Sequence, residues 1–152
     1  MKKQILSLVI GLAILGCVNA ASGDNDKTAA ATEKAQNSFH KQYKDVTNET
    51  WHPLKNGFKV DFVKDGHQAR SIFGKRGNWL YTVEHFSADN LDKDLINLVK
   101  TEYDKYYISS IDKVECSPVD PVYIVHLEDQ DSYKTLQIHK TDIELVEDFR
   151  KG

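Results

Sequence analysis

The sequence predicts an α+β fold built from two successive units, each a helix followed by antiparallel strands, with both helices packed on one face of the sheet. Three observations carry this. Hairpin signals stand at Asn56-Gly57, Asp65-Gly66 and Asp129 to Asp131, and turns this short force neighbouring strands to run antiparallel. An amphipathic helical stripe opens each half. Core-type residues also recur between the halves. Phe39, Tyr43 and Trp51 match Val99, Tyr103 and Ile111 at one constant offset. Phe58, Val60, Phe62 and Phe73 match Tyr123, Val125, Leu127 and Ile138 at a slightly longer one. The longer offset predicts a loop insertion around Pro118. The pseudo-repeats span about residues 29–86 and 87–149.

In the first unit, Ala31, Ala35, Phe39 and Tyr43 lie four apart and form one stripe of a helix from about Lys27 to Lys44. Thr47 to Trp51 reads as a strand, interrupted by Pro53. Phe58, Val60 and Phe62 alternate with Lys59 and Asp61, the pattern of a half-buried strand. Asp65-Gly66 is a type I′ turn signal leading into a strand from Gln68 to Phe73. Trp79 to Phe86 follows after a turn over Gly74 to Asn78. In the second unit Ser87 or Asp89 is positioned to cap a helix with Leu91, Leu95, Leu98, Val99 and Tyr106 on its apolar stripe. Strands are expected over Ile108–Cys116, Val122–Leu127, Tyr133–His139 and Ile143–Glu147.

The first twenty residues are of another kind. Lys2 and Lys3 precede an uncharged apolar run from Ile5 to Leu15, too short to span a bilayer. Val18-Asn19-Ala20 then places small residues at a cleavage site. This order reads as a secretory signal peptide over residues 1–20, followed by a flexible leader over 21–28. Ile14-Leu15-Gly16-Cys17 is also a loose lipobox, which would make Cys17 an acylated N-terminus and anchor the protein to a membrane. The expected location is the periplasm or outside the cell. Without Lys2 and Lys3 the 20 basic residues fall to 18 against 23 acidic ones, a net charge of about −5. That balance argues against a nucleic-acid footprint.

Catalytic motifs are missing from the sequence. It has no Gly-x-Ser-x-Gly and no phosphate loop or dinucleotide fingerprint. The six histidines form no His-x3-His pair, and a metal site needs three or four converging ligands. His126, His139 and Glu128 are the one grouping with a weak metal or hydrolytic potential, across a hairpin. Cys116 sits beside Glu115, which disfavours a reactive thiolate, so it reads as a small apolar residue. Lys59, Lys64, Arg70, Lys75 and Arg76 cluster on the first hairpins, where a solvated sheet face explains them. No cofactor is expected.

Several motifs together resemble a known group. Val46 with Trp51, Gly57-Phe58-Lys59-Val60-Asp61-Phe62 and Arg76-Gly77-Asn78-Trp79 are similar to the PepSY-like family of secreted bacterial proteins, whose arrangement is like that of the β-lactamase inhibitor protein. The resemblance covers Phe39 to about Glu147. It implies a β-lactamase-inhibitor-like fold, no catalytic residues and a role in binding or inhibiting other proteins outside the cytoplasm. The second unit departs from it: Asp142-Ile143-Glu144 stands where the first has Gly77-Asn78-Trp79, and Asn90-Leu91 replaces the family's Leu-Pro.

The expected function is therefore that of an exported, non-enzymatic binding module acting on an extracytoplasmic protein; a small hydrolase or metal-binding protein is the alternative. By alternation, Phe58, Val60, Phe62, Tyr123, Val125 and Leu127 face the helices. Val63, Ile72, Val122, Ile124, Tyr133 and Thr135 then face away, mixed with Lys59, Asp61 and Arg70. A purely solvated face alternates to polar more cleanly. Ile72, Ile124 and Tyr133, with Trp79 or Tyr81 according to strand register, are accordingly the expected partner-binding residues. Mass spectrometry of the mature protein checks the export reading. An N-terminus at Ala21 is expected, an acylated Cys17 supports the lipoprotein route, and an intact Met1 refutes both.

Overall fold

The computed structural model describes residues 31–90 and 92–152. The expected signal peptide, the leader and Cys17 lie outside the described residues. In chain order the elements are α1 (Glu33–Gln42), β1 (Val46–Leu54), β2 (Gly57–Lys64), β3 (His67–Gly74), β4 (Trp79–Phe86), α2 (Lys93–Glu102), β5 (Tyr107–Cys116), β6 (Val119–Glu128), β7 (Ser132–His139) and β8 (Asp142–Arg150). The strands form one sheet in sequence order, β1 to β8. Every neighbouring pair is antiparallel, including β4 with β5 across the α2 connection.

Local chemistry explains each junction. Thr32 caps α1, its side-chain oxygen accepting from the Ala35 amide. Asp92, not Ser87 or Asp89, caps α2 by accepting from the Asp94 amide at 2.9 Å, because Ala88–Asn90 forms a 3-10 turn of its own. Asp65 and Gly66 have φ of 51° and 82° between the paired residues Lys64 and His67, as a type I′ turn requires. In the β6–β7 turn the Asp129 carboxylate accepts from the Asp131 and Ser132 amides at 2.8 and 2.6 Å, a side-chain substitute for a backbone turn.

Two apolar cores lie on the same side of the sheet. The expected α1 stripe of Ala31, Ala35, Phe39 and Tyr43 is buried throughout. Phe39 stands 5.0–6.2 Å, centroid to centroid, from the rings of Tyr43, Trp51, Phe62 and Phe73. Truncating such a ring costs about 3–5 kcal/mol. The second core joins Val99 of α2 to Ile111, Val125, Leu127, Leu136 and Ile138, with Leu95, Leu98 and Tyr123 packed against it. Phe39 and Val99 are both fully buried, and Tyr43 and Tyr103 both cap the C-termini of their helices.

A polar seam runs between the cores. Thr82 Oγ1 lies 2.5 Å from both Tyr43 Oη and Ser71 Oγ, and accepts from Trp79 Nε1 at 2.9 Å. Nearby, Lys64 Nζ donates to Glu84 Oε1 at 2.7 Å. Glu84 is only 5% exposed, so this partner satisfies a charge that burial would otherwise penalise.

Three expectations need correction. β1 runs through Pro53 to Leu54, because β1 is an edge strand and a proline there removes no ladder bond. There is no loop insertion at Pro118: Cys116 pairs directly with Val119 around a two-residue turn. The extra length lies in β5 and β6, ten residues each. The last strand extends to Arg150.

Gly77 joins the β3–β4 turn to α1. Its φ is +80°, and a Cβ there would sit 2.8 Å from the Ala35 nitrogen and the Lys34 carbonyl carbon. Gly77→Ala therefore meets strained backbone and a clash with helix backbone, and should destabilise the fold by about 2 kcal/mol. Gly66→Ala, at φ +82° in open space, should cost less. Urea denaturation of both variants checks the order.

Candidate functional site

Strand register decides what the helix-free face presents. Across β2, β3 and β4, Val60 pairs with Ser71 and Ser71 with Thr82, all on the helix side. Their strand neighbours must point the other way. One row on that opposite face runs Lys59, Ile72, Tyr81. The next runs Asp61, Arg70, Val83, Val114, Val122, His139. A third runs Val63, Gln68, His85, Asp112, Ile124, Gln137, Glu144. Beyond it lie Ser110, His126, Thr135 and Glu147, then Glu128, Tyr133 and Phe149.

The result is an apolar strip with charged flanks. Ile72, Tyr81, Val83, Val122 and Ile124 are half-buried, and Val114 is buried among them. Tyr133 and Phe149 pair across β7 and β8 and are 47% and 58% exposed. Lys151 Nζ sits 4.5 Å from the Tyr133 ring centroid, a cation–π contact that holds the ring in place. On one flank Asp61 meets Lys59 at 2.7 Å, His52 at 3.1 Å and Arg70 at 3.8 Å.

On the other flank Asp112 stands between two histidines. His85 Nδ1 lies 2.8 Å from Oδ1, and His126 Nε2 lies 3.9 Å from Oδ2, an ion-pair distance without a direct hydrogen bond. The ladder continues through Thr135, whose Oγ1 is 3.5 Å from His126 Nδ1 and donates to Glu147 Oε2 at 3.0 Å. Burial pushes the Asp112 carboxyl up, but the imidazoles of His126 and His85 outweigh it and hold the group below its usual range.

Of the expected partner-binding residues, Ile72, Tyr81, Ile124 and Tyr133 lie on the helix-free face. Trp79 does not. A register shift between Ile72 and Phe73 pairs Trp79 with Phe73, and its ring packs against the first core. The grouping of His126, His139 and Glu128 also dissolves. His126 opposes Thr135 while His139 opposes Val122, four residues or about 13 Å apart along β6. Glu128 instead accepts from Lys151 at 2.6 Å. Among the described residues no group of three or more His, Cys, Asp or Glu is arranged to hold a metal ion. Cys116 is half-buried and unpaired with another cysteine.

Val83, Val114 and the His85–Asp112–His126 ladder were not legible in the sequence. Period-two alternation puts His85, Tyr81 and Val83 on one face of β4. What stands beside that face depends on the β4–β5 pairing, which a helix interrupts.

No protein-family model and no curated protein matches the sequence. Solved structures do match in fold. A BLIP-like protein from Bacteroides fragilis aligns with a TM-score of 0.67 at 17% identity, covering 79% of this chain and 86% of that one. A DUF2874 family protein from Bacteroides ovatus aligns at 0.65 and 17%, covering 84% and 89%. A Bacteroides eggerthii protein provisionally assigned to the periplasm aligns at 0.64 and 15%, covering 79% and 88%. The BLIP-like fold expected from the sequence is therefore present. Among the described residues no helix is long and apolar enough to cross a membrane.

The Asp112 ladder has a pH signature. Its carboxyl is depressed in the folded state, so the unfolded chain takes up the proton first as pH falls. The stability it supplies is present above the ordinary carboxylate pKa of about 4 and is lost below it. Asp112→Asn should be less stable than the parent protein at pH 5, and the gap should narrow as the pH falls to 3. Urea midpoints at the two pH values check this; a gap that does not change contradicts it.

Proposed function

We propose that this protein is an exported, non-enzymatic binding module of the PepSY-like kind, which holds another extracytoplasmic protein against the helix-free face of its sheet and so inhibits or regulates it. The observation that carries the reading is the apolar strip on that face. Ile72, Tyr81, Val83, Val122 and Ile124 line it, and Tyr133 and Phe149 extend it toward β8. Apolar side chains gathered on the uncovered side of a sheet mark an interaction surface more often than a solvated one. Tyr81 and Tyr133 supply the residue type that dominates binding hot spots. The charged ladders on either flank form the polar rim such an interface needs.

The helix and four strands of each half are read as two copies of one unit, whose fusion widens a single recognition surface. No residue takes a catalytic role in this reading, and no cofactor or nucleic acid takes part. The partner is a protein that the sequence does not name.

Paired substitutions test the face. Tyr81→Lys and Ile124→Lys are to be compared with the parent protein in capture from the native envelope fraction, with circular dichroism as a check of folding. A protein held by the parent and lost from both folded variants is expected. Undiminished capture by both variants overturns the assignment of the face.

A further inference from the structure

The two edges of the sheet are treated differently, and the contrast points to a second interaction surface. β1 is blunted. It contains Pro53, its register slips between Thr47 and Thr50, and Asn48 has a φ of 57°. Proline, bulges and irregular backbone are the devices by which sheets refuse another strand. β8 also shifts register once, at Val146 between Leu145 and Glu147, but it has neither proline nor glycine and no residue of positive φ across its nine residues. It pairs with β7 alone among the described residues, so its outer row of amides and carbonyls faces outward. Leu145, Val146 and Phe149 on it are 45%, 52% and 58% exposed.

The charge along this edge is one-sided. Glu144 and Glu147 lie on the helix-free face, opposite Gln137 and Thr135. Neither is ion-paired to a cation among the described residues, whereas Asp148, which faces the helix side, is held by Lys134. The helix-side positions Ile143 and Leu145 oppose Ile138 and Leu136 of the second core. An incoming strand alternates its side chains between the two faces. It would find uncompensated carboxylates on one face and exposed aliphatic groups on the other. A second copy of β8 paired so as to continue the sheet fits poorly: it brings its own Glu144 and Glu147 to the face that already carries two, and like charges facing each other across a ladder destabilise a sheet.

We infer that β8 accepts an extended segment of a partner polypeptide as a ninth strand, and that the segment alternates Lys or Arg with aliphatic residues. Main-chain hydrogen bonds supply the affinity and the alternation supplies the selectivity, as in other strand additions. The edge site meets the apolar strip of the helix-free face at Phe149, but Glu144 and Glu147 lie outside the strip, so either site can fail without the other.

The probe is a short synthetic peptide of alternating lysine and valine, titrated into the isotope-labelled protein while backbone amide shifts are followed. Two controls accompany it: a peptide with glutamate for lysine, and the lysine–valine peptide N-methylated at every amide, which keeps its charge but cannot pair as a strand. The lysine–valine peptide should shift the β8 amides and bind at least about tenfold more tightly than either control. In a Glu144→Lys/Glu147→Lys variant, shown by circular dichroism to fold, the preference between the lysine and glutamate peptides should reverse. Equal binding of the methylated peptide reduces the effect to charge attraction and overturns the inference. So does an unchanged preference in the double variant, or a protein dimer that forms through β8 and excludes the peptide.

Discussion

The pairing of β4 with β5 is the constraint on which the rest of the structure depends. Each half has its own helix and its own apolar core, one under Phe39 and one under Val99. What unites them is the ladder from Thr82 opposite Glu115 to Phe86 opposite Ile111. Antiparallel strands so far apart in sequence meet only because α2 folds back over the second half and returns the chain alongside β4. With that ladder made, eight strands share one surface. Without it there would be two narrow four-stranded sheets, neither wide enough to present a continuous strip.

The junction between the cores is polar for a structural reason. Buried hydroxyls and an ion pair stand there, so the groups must satisfy one another. Tyr43, Ser71, Thr82 and Trp79 do so through hydroxyl and indole hydrogen bonds, and Lys64 with Glu84 does so through charge. Unpaired, any of these groups would cost more than it contributes. Both cores lie on one side of the sheet. The opposite side is left uncovered, and its apolar residues from Ile72 to Ile124 are the consequence.

Charge is distributed to match. On the uncovered face the carboxylates of Asp61 and Asp112 are surrounded by cations or imidazoles from neighbouring strands. Exposed pairs of this kind contribute little to stability, about 0–1 kcal/mol each. Their effect is to keep the borders of the apolar strip polar and in place. Among the described residues Glu144 and Glu147 at the β8 edge have no such cation or imidazole partner, and Glu147 accepts only from the Thr135 hydroxyl.

The sequence by itself determined whatever depends on near neighbours. Four-residue spacing put Ala31, Ala35, Phe39 and Tyr43 on the buried side of α1. Asp65-Gly66 made its turn because both positions tolerate positive φ. Alternation within β2, β6 and β7 assigned Phe58, Val60, Phe62, Tyr123, Val125 and Leu127 to one face and Val63, Val122, Ile124, Tyr133 and Thr135 to the other. Each of these follows from a backbone period that the chain carries locally. Only the tertiary structure decided which residues from separate strands stand together. A one-residue slip near Ile72 turned Trp79 inward and left Tyr81 on the helix-free face. The β4–β5 register brought His85 to Asp112 and His126, while His139, expected to meet His126, was carried away along the hairpin. The physical reason is that a strand's period states which side chains share a face, whereas their neighbours across the ladder depend on register, bulges and crossover, which arise only when distant segments pair.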